Sequence, residues 1–515
     1  MTTNTLNSTQ TAIILGAIFL ILGISIVLGI VANRRNKTAA QFVGAAKSWG
    51  PLATGLSSTA AMASGWLYVG TVGNVYMNGN LMAIYTYLSF CFSLGFLYVG
   101  KRMRALAEIE EISTLGDILD VRYRSSGNTK KLRIFYAITI FIGCFSYLGA
   151  QISAGSGLMT YLFPEWSKFL GCAVIFGAVT IYVAIGGENG GLLSQAFQGA
   201  VMVICGLVFI FMFLVEFGGF SALSEAIESS PTVTDAAGNS KTFSPMMMTA
   251  FGIDYTGVQS LTYLMCPVIG VACQPSALTR MYAVKRPQDL PRAGMTSAIS
   301  QALVAFSAMS IAFAMLVLVP SGQAPAVAIA DQVTWSYIGY LGFGIQVITC
   351  AGIMAGIISS ASMYMTVGAN AIAIDLLGAL NVKMDDRQKI HISRVAIIIV
   401  GICGIFMAAL SSDTVAIIAS LGWGTIMSIT LPLFIIGCGW KKANCKGMTA
   451  AAFVAMVGNI VGFVTTQFMG VVYPKQMPWY MWVIMLSVSV GVFFSIATSK
   501  ESERLDPKVE AALSF

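Results

Sequence analysis

The chain has 515 residues, of which 57% are hydrophobic and 10% charged, and its mean hydropathy is +0.79. That balance excludes an ordinary soluble domain and an intrinsically disordered chain. The formal charge of +7 would suggest nucleic acid in a soluble protein. Here the basic residues lie between apolar spans, where topology and anionic lipid headgroups account for them, so a lipid bilayer is the expected partner and nucleic acid is not.

Thirteen apolar spans follow along the chain, at 11–33, 50–73, 80–101, 133–163, 167–186, 191–217, 246–279, 293–319, 341–377, 392–411, 414–438, 448–470 and 478–498. About twenty apolar residues suffice for a helix to cross a hydrocarbon core of about 30 Å. If the spans alternate in direction, their connections sort by charge. Of the 29 lysines and arginines, Lys168, Lys241 and Lys475 fall on one side and all others on the opposite side. Positive-inside bias makes the basic side cytoplasmic, with the N-terminus outside and the C-terminus inside. Dropping or adding one span would scramble this segregation. The expected fold class is an all-α polytopic membrane protein with 13 transmembrane helices, in the plasma membrane or, in a bacterium, the inner membrane. Residues 1–10 carry no basic n-region, so no signal peptide is read. The ten cysteines form no C-x-x-C pair, which indicates neither a metal site nor a disulfide framework.

The longest non-apolar stretches are 101–132, 218–245 and 499–515. The first contains apolar residues at helical spacing over 112–119, which predicts an amphipathic helix lying on the cytoplasmic surface. The second reads as an external loop with a short helix over 221–228, and the third as a cytoplasmic tail too short for a catalytic module. Residues 1–515 therefore form a single transmembrane domain.

Two spans should not be continuous helices. The middle of the second is a run of small and hydroxyl residues from Ser57 to Trp66, and the seventh carries Pro267, Gly270 and Pro275 at mid-depth. Proline removes a backbone donor and clashes with the preceding turn. Unwound backbone at that depth survives only where it lines a cavity or is buried in protein. Two interrupted helices five spans apart fit a five-plus-five inverted repeat, 50–217 and 246–438, whose broken helices meet at the midplane. That leaves one extra helix at 11–33 and two peripheral helices over 448–498. The plainer reading is that small residues aid packing and prolines only kink. In the ninth span, Ser359 and Ser360 with the carbonyl of Gly356 could present oxygens to a hard cation from one face. Serines in membrane helices also bond back to their own helix.

No ionisable residue is expected deep in the core. Asp254, Asp375 and Asp413 fall near span ends, and Glu188 and His391 in cytoplasmic connections. A proton relay is then hard to build. A dicarboxylate would need more than one positive partner, whereas a broken-helix N-terminus can hold a monocarboxylate.

Several segments in order resemble the sodium:solute symporter family, from about residue 46 to 445. They are Ser64-Gly65-Trp66; Thr114 to Leu119 followed by Arg122-Tyr123; Gly186-Gly187 followed by Gln198; Gln274-Pro275 followed by Arg280-Met281-Tyr282; and Ser359-Ser360-Ala361-Ser362 followed by Asp375. The resemblance implies a leucine-transporter-type fold and alternating access driven by a sodium gradient. Carried over residue by residue, it implies a sodium site of Ala60, Ala63, Gly356, Ser359 and Ser360. Two departures matter. Met62 stands where the sodium/proline branch has an aspartate, and Gln195 where many members have an acid that supports a second sodium. One coupled sodium and no organic cofactor are expected.

The pocket expected from the fold analogy contains Ser57, Ser58, Ser64, Trp66, Gln151, Pro267 and Gln274. A proline substrate is disfavoured, because the aromatic residues of the proline branch are replaced near Pro267 and Val271. The expected function is sodium-coupled symport of a small organic solute, a monocarboxylate or a neutral or zwitterionic metabolite. A non-transporting sensor or scaffold of the same fold and a proton-coupled carrier stay open as alternatives. With no nucleophile–base pair or metal cluster in the sequence, an enzyme is not expected, and the sequence sets no oligomeric state.

Overall fold

The computed structural model describes residues 6–35, 38–45, 47–79, 94–234, 238, 240–249, 252–253, 270–410, 415–473 and 478–515. Pro267, Asp254, Asp413, Lys475 and large parts of the third and seventh spans lie outside the described residues. Within them, nine helices are long and apolar enough to cross a membrane.

The first, α1 (Ser8–Arg35), precedes the broken element. In that element α2 (Pro51–Met62) ends, a π-helical turn spans Trp66–Thr71, and α3 (Val72–Asn78) completes it. Next come α4 (Leu115–Tyr123), α5 (Lys130–Leu162) and α6 (Lys168–Phe211). After the seventh span's visible end, α7 (Pro275–Ala283), the chain continues through α8 (Leu290–Leu318), α9 (Phe343–Asn370) and α10 (Asp386–Leu410). It closes with α11 (Val415–Thr430), α12 (Cys445–Phe468) and α13 (Trp479–Ala497).

The expected break between residues 186 and 191 is a kink within α6. With its π-helical end the segment runs Lys168–Glu216, 49 residues. At about 1.5 Å per residue that is far longer than one crossing. Gly187 divides it, with φ 59 and ψ −159, a conformation open to glycine but not to side chains with a Cβ.

Glycines also set how closely the helices approach. An added Cβ on Gly199 of α6 would lie 2.5 Å from the carbonyl oxygen of Leu56 in α2. Small residues at such contacts let backbones touch where the lipid supplies no hydrophobic drive. α2 packs against α6, α8 and α9, and α9 against α5 and α6. The last two spanning helices, α12 and α13, pack mainly on each other.

The 112–119 segment departs from expectation. Helix α4 starts at a capping box, Thr114 with Asp117, which satisfies two first-turn donors. It does not lie on the surface: Leu115, Ile118, Leu119 and Tyr123 are buried. Arg122 draws it inward. Its side chain is buried and donates to the carbonyls of Gly437 (2.9 Å) and Ala443 (3.0 Å). An arginine at an apolar periodicity reads as a surface cation unless the chain end it caps is known. The 218–245 loop holds the expected helix, at Gly219–Glu228, and a hairpin of Thr232–Thr234 with Ser240–Thr242 that the sequence pattern did not announce.

Candidate functional site

The break after α2 is built by its own backbone. Ala63 closes the helix by donating to Thr59 (2.8 Å) and turns to φ −79, ψ 84. Ser64 Oγ then accepts the N–H of Trp66 at 3.2 Å, as a capping residue does for a helix start. Gly65 N donates to Gln151 Oε1 of α5 at 2.7 Å. The seventh span breaks likewise. Val271–Cys273 form a short 3-10 turn, Gln274 is extended (φ −72, ψ 145), and Pro275 opens α7. The two breaks meet: Ser58 Oγ donates to the carbonyl of Ser276 at 3.3 Å, and Ser276 Oγ contacts the sulfur of Met62.

Helix α9 lies against the first break. Ser359 Oγ is 2.6 Å from the carbonyl oxygen of Ala60 and 2.8 Å from that of Gly356. Ser360 Oγ reaches the carbonyls of Ala61 (3.0 Å) and Ala60 (3.4 Å). Gly356 is pressed on the end of α2, where an added Cβ would sit 2.7 Å from the carbonyl oxygen of Ala63. All five residues are buried. The structure thus gathers the carbonyls of Ala60, Ala63 and Gly356 and the hydroxyls of Ser359 and Ser360 in one place. Ala61, whose carbonyl Ser360 also reaches, was not among the expected residues.

Of the other expected residues, Ser64, Trp66, Gln151 and Gln274 surround the junction of the breaks. Ser57 Oγ bonds back to Thr54 in its own helix (3.0 Å), and Ser58 joins the two breaks. Gln151 uses its oxygen on Gly65, and its Nε2 is buried with no hydrogen-bond partner. Three residues that the sequence reading omitted complete the surroundings. Tyr147 OH pairs with Ser64 Oγ at 2.8 Å, Tyr364 OH lies 3.4 Å from Gln274 Oε1, and the ring of Trp423 lies 6.1 Å from that of Trp66. Tyr147 precedes Gln151 by one helical turn, and Tyr364 follows Ser360 by one turn. That i, i+4 relation was the available signal.

Charge is deeper than the sequence suggested. Glu188 is not in a cytoplasmic connection; it is 1% exposed within α6 and forms an ion pair with Arg280 of α7, which is 0% exposed. Asp375 is also buried, accepts from Thr114 Oγ1, and lies 3.8 Å from Arg133. Arg280 also donates to Gln195 Oε1, and Gln195 Nε2 donates to Ser362 Oγ at 3.0 Å. Glycines at 186, 187, 190 and 191 make residues 186–191 read as a loop, which is why the acid was misplaced.

Broken helices that meet inside a bundle of apolar helices are the build of secondary transporters. The chain matches the sodium:solute symporter family over residues 42–462, and it belongs to that family. It is 22% identical over 488 residues to the osmoregulated proline transporter OpuE of Bacillus subtilis (strain 168), covering 93% of each chain. It is 23% identical over 466 residues to a sodium/proline symporter of Staphylococcus aureus, covering 87% of this chain and 85% of that one. Its structure resembles that of a Na+-coupled sialic acid symporter in a substrate-bound outward-open state, with a TM-score of 0.73 at 18% identity over 94% and 98% of the two chains. It also resembles Mhp1, a nucleobase-cation-symport-1 family transporter, with a TM-score of 0.52 at 10% identity over 93% and 99%. At these identities the structural likenesses speak for the fold.

Proposed function

We propose that the protein is a sodium-coupled symporter that moves a small monocarboxylate or a neutral or zwitterionic solute by alternating access. One sodium binds the carbonyls of Ala60, Ala63 and Gly356 and the hydroxyls of Ser359 and Ser360. The observation that carries this reading is Ser359 Oγ standing within hydrogen-bond reach of two carbonyls from two helices. The hydroxyls of Ser359 and Ser360 donate their hydrogens to carbonyls of this cluster. A sodium ion replaces them: the hydroxyls rotate, and their lone pairs join the carbonyls around the cation. The cage is uncharged, so it suits a small monovalent cation. The relatives named as sodium/proline symporters support sodium as the coupled ion.

Solute sits at the two breaks, among Ser57, Ser58, Ser64, Trp66, Gln151, Pro267 and Gln274. The paired Trp66 and Trp423 rings and the unpartnered amide of Gln151 suit a ligand with an apolar body and one acceptor. Five-plus-five repeats, thirteen crossings and an external N-terminus complete the reading. The buried Glu188 and Asp375 favour one competing reading, a proton as the coupled ion. Uptake into proteoliposomes under a sodium gradient, or under a pH gradient in sodium-free buffer, separates the two. Sodium-dependent uptake is expected; equal uptake on the pH gradient alone overturns sodium coupling.

A further inference from the structure

Helix α6 is flanked by α10 and α1. The side chain of Thr180 packs against Gly401 of α10, and Gly186 packs against Gly29 of α1. The outer face of α6 between these contacts is bare. Ile181 is 59% exposed, and an added Cβ on Gly177, one turn earlier, would meet nothing within 4 Å. The apolar exposure continues at Ile398 of α10 and at Val27 and Val31 of α1. On spanning helices such a face meets lipid tails.

At one end of this face α1 and α10 touch. Arg394 Nη2 donates to Asn33 Oδ1 at 3.1 Å, and the guanidinium stands 5.0 Å from the centre of the Phe42 ring. Arg394 Nε is buried with no hydrogen-bond partner. About 24 Å of helix separates Arg394 from Leu410 at the far end of α10, close to the thickness of a hydrocarbon core, about 30 Å. The guanidinium therefore stands at headgroup level.

Charge gathers at the same place. Arg387, His391, Arg394 and Ile398 form one row along α10, because positions three and four apart share a helix face. Arg34 follows Asn33 on α1. Arg34, Arg387 and His391 are exposed. Among the described residues, Arg34, Arg387 and Arg394 form no ion pair. The two acids at the start of α10 serve backbone donors and lie off the row. Asp385 accepts the N–H of Gln388 at 2.7 Å, and Asp386 that of Ala39 at 3.0 Å. Unpaired guanidiniums at the rim of an apolar face complement a phosphate that carries acyl chains. Their planar forks suit phosphate oxygens, and basic sites between spanning helices hold anionic headgroups.

We propose that this face binds one anionic phospholipid, with its phosphate on Arg34, Arg387, His391 and Arg394 and its tails along α6 and α10. The lipid bears on the helix breaks through Phe42. The carbonyl of Phe42 lies against Gly187, where an added Cβ would meet it at 2.4 Å. The short helix that carries Phe42, Ala39–Gly44, leads into α2. A headgroup on Arg394 thus steadies the link between the kink of α6 and the first broken helix.

The test is native mass spectrometry of the purified full-length protein in detergent, titrated with phosphatidylglycerol or with phosphatidylcholine of the same acyl chains. Wild type should hold one phosphatidylglycerol about tenfold or more tighter than phosphatidylcholine. A basic residue near a headgroup is worth roughly fivefold in affinity. Arg387→Gln should therefore weaken phosphatidylglycerol by about fivefold and Arg387→Glu by about twenty-five-fold, with phosphatidylcholine unchanged. Lys442→Gln, which removes an equal charge elsewhere, should leave both lipids unchanged. Phosphatidylglycerol should raise the melting temperature of the wild type and not that of Arg387→Glu. Arg387 is exposed, so these variants test the site without touching the contacts of Arg394 with Asn33 and Phe42. Equal affinity for the two lipids, or equal losses in Arg387→Gln and Lys442→Gln, overturns the site in favour of general surface charge. Displacement of phosphatidylglycerol by millimolar glycerol phosphate overturns the lipid in favour of a soluble phosphate ligand.

Discussion

Ser359 Oγ lies 2.6 Å from the carbonyl oxygen of Ala60, although 299 residues separate them along the chain. That contact joins the broken helix α2 to the continuous helix α9. It makes the cage a property of how the two helices dock, and not of either alone. Ser359→Ala and Ser360→Ala should each weaken sodium affinity by roughly tenfold to a hundredfold, corresponding to about 1.5–3 kcal/mol for a lost charge-assisted ligand. Sodium-dependent thermal shift of the purified variants reads this directly. Substitution of exposed lysines such as Lys442 should leave the sodium midpoint in place.

The same docking makes Gly356 sensitive to size. An added Cβ would meet Ala63 O at 2.7 Å and Met202 Cε at 2.8 Å. The methionine end can move; the carbonyl belongs to the proposed sodium site. Gly356→Ala should lose about 1–3 kcal/mol of stability, the usual cost of overpacking, and should weaken sodium binding more than it lowers the melting temperature of the sodium-free protein. A variant with wild-type sodium affinity would show that α2 and α9 need not touch at Ala63.

Much of this arrangement was legible before any coordinates. Spans at 133–163, 293–319 and 478–498 correspond to helices Lys130–Leu162, Leu290–Leu318 and Trp479–Ala497, because hydropathy over twenty residues is a strong signal. The breaks were legible because a run of small residues and a pair of prolines interrupt two spans five apart, although either signal alone also serves packing or kinking. The buried ion pair was not. Glu188 sits among glycines that read as a turn, and Arg280 follows α7's apolar residues like a cytoplasmic cation. Packing of helices distant in sequence buries both, and no local pattern encodes that packing. Tyr147 and Tyr364 stood one turn from Gln151 and Ser360, which was a signal, whereas Trp423 had no such neighbour to mark its face.

The Glu188–Arg280 pair gives a stability prediction. Both side chains are buried, so removing one partner leaves an uncompensated charge in a medium of low dielectric. Arg280→Met should destabilise by about 3–5 kcal/mol, whereas Glu188→Leu combined with Arg280→Met should recover most of that loss. Thermal unfolding in detergent measures both. Equal destabilisation by the single and double variants would mean that Arg280 acts through Gln195 and Thr279 instead of through Glu188.

Topology has its own check. Lys241 is expected outside, where its ammonium lies 4.6 Å from the centre of the Tyr76 ring, and Lys500 is expected in the cytoplasm. Cysteines introduced at 241 and 500, with the exposed Cys403 replaced, should react with an impermeant thiol reagent from opposite sides of the membrane. Labelling of both from outside in intact cells would remove the topology and the inverted-repeat argument with it.

Gln151 separates a structural from a recognition role at the proposed solute site. Its oxygen accepts the N–H of Gly65 at 2.7 Å, and its Nε2 is buried and unpartnered. Gln151→Ala removes both functions. The Gly65 donor is then left unsatisfied, at a cost of about 1–3 kcal/mol, and sodium-free stability should fall. Gln151→Glu keeps the acceptor and exchanges the free amide donor for a carboxylate oxygen. If that donor holds the solute, Gln151→Glu should preserve the break and the sodium midpoint yet lose binding of an acceptor-bearing solute by about tenfold or more. A thermal-shift screen of monocarboxylates, neutral amino acids, sugars and polyols, each with and without sodium, identifies the ligand for this comparison. Unchanged solute affinity in Gln151→Glu, with sodium binding intact, would confine Gln151 to holding the helix break open.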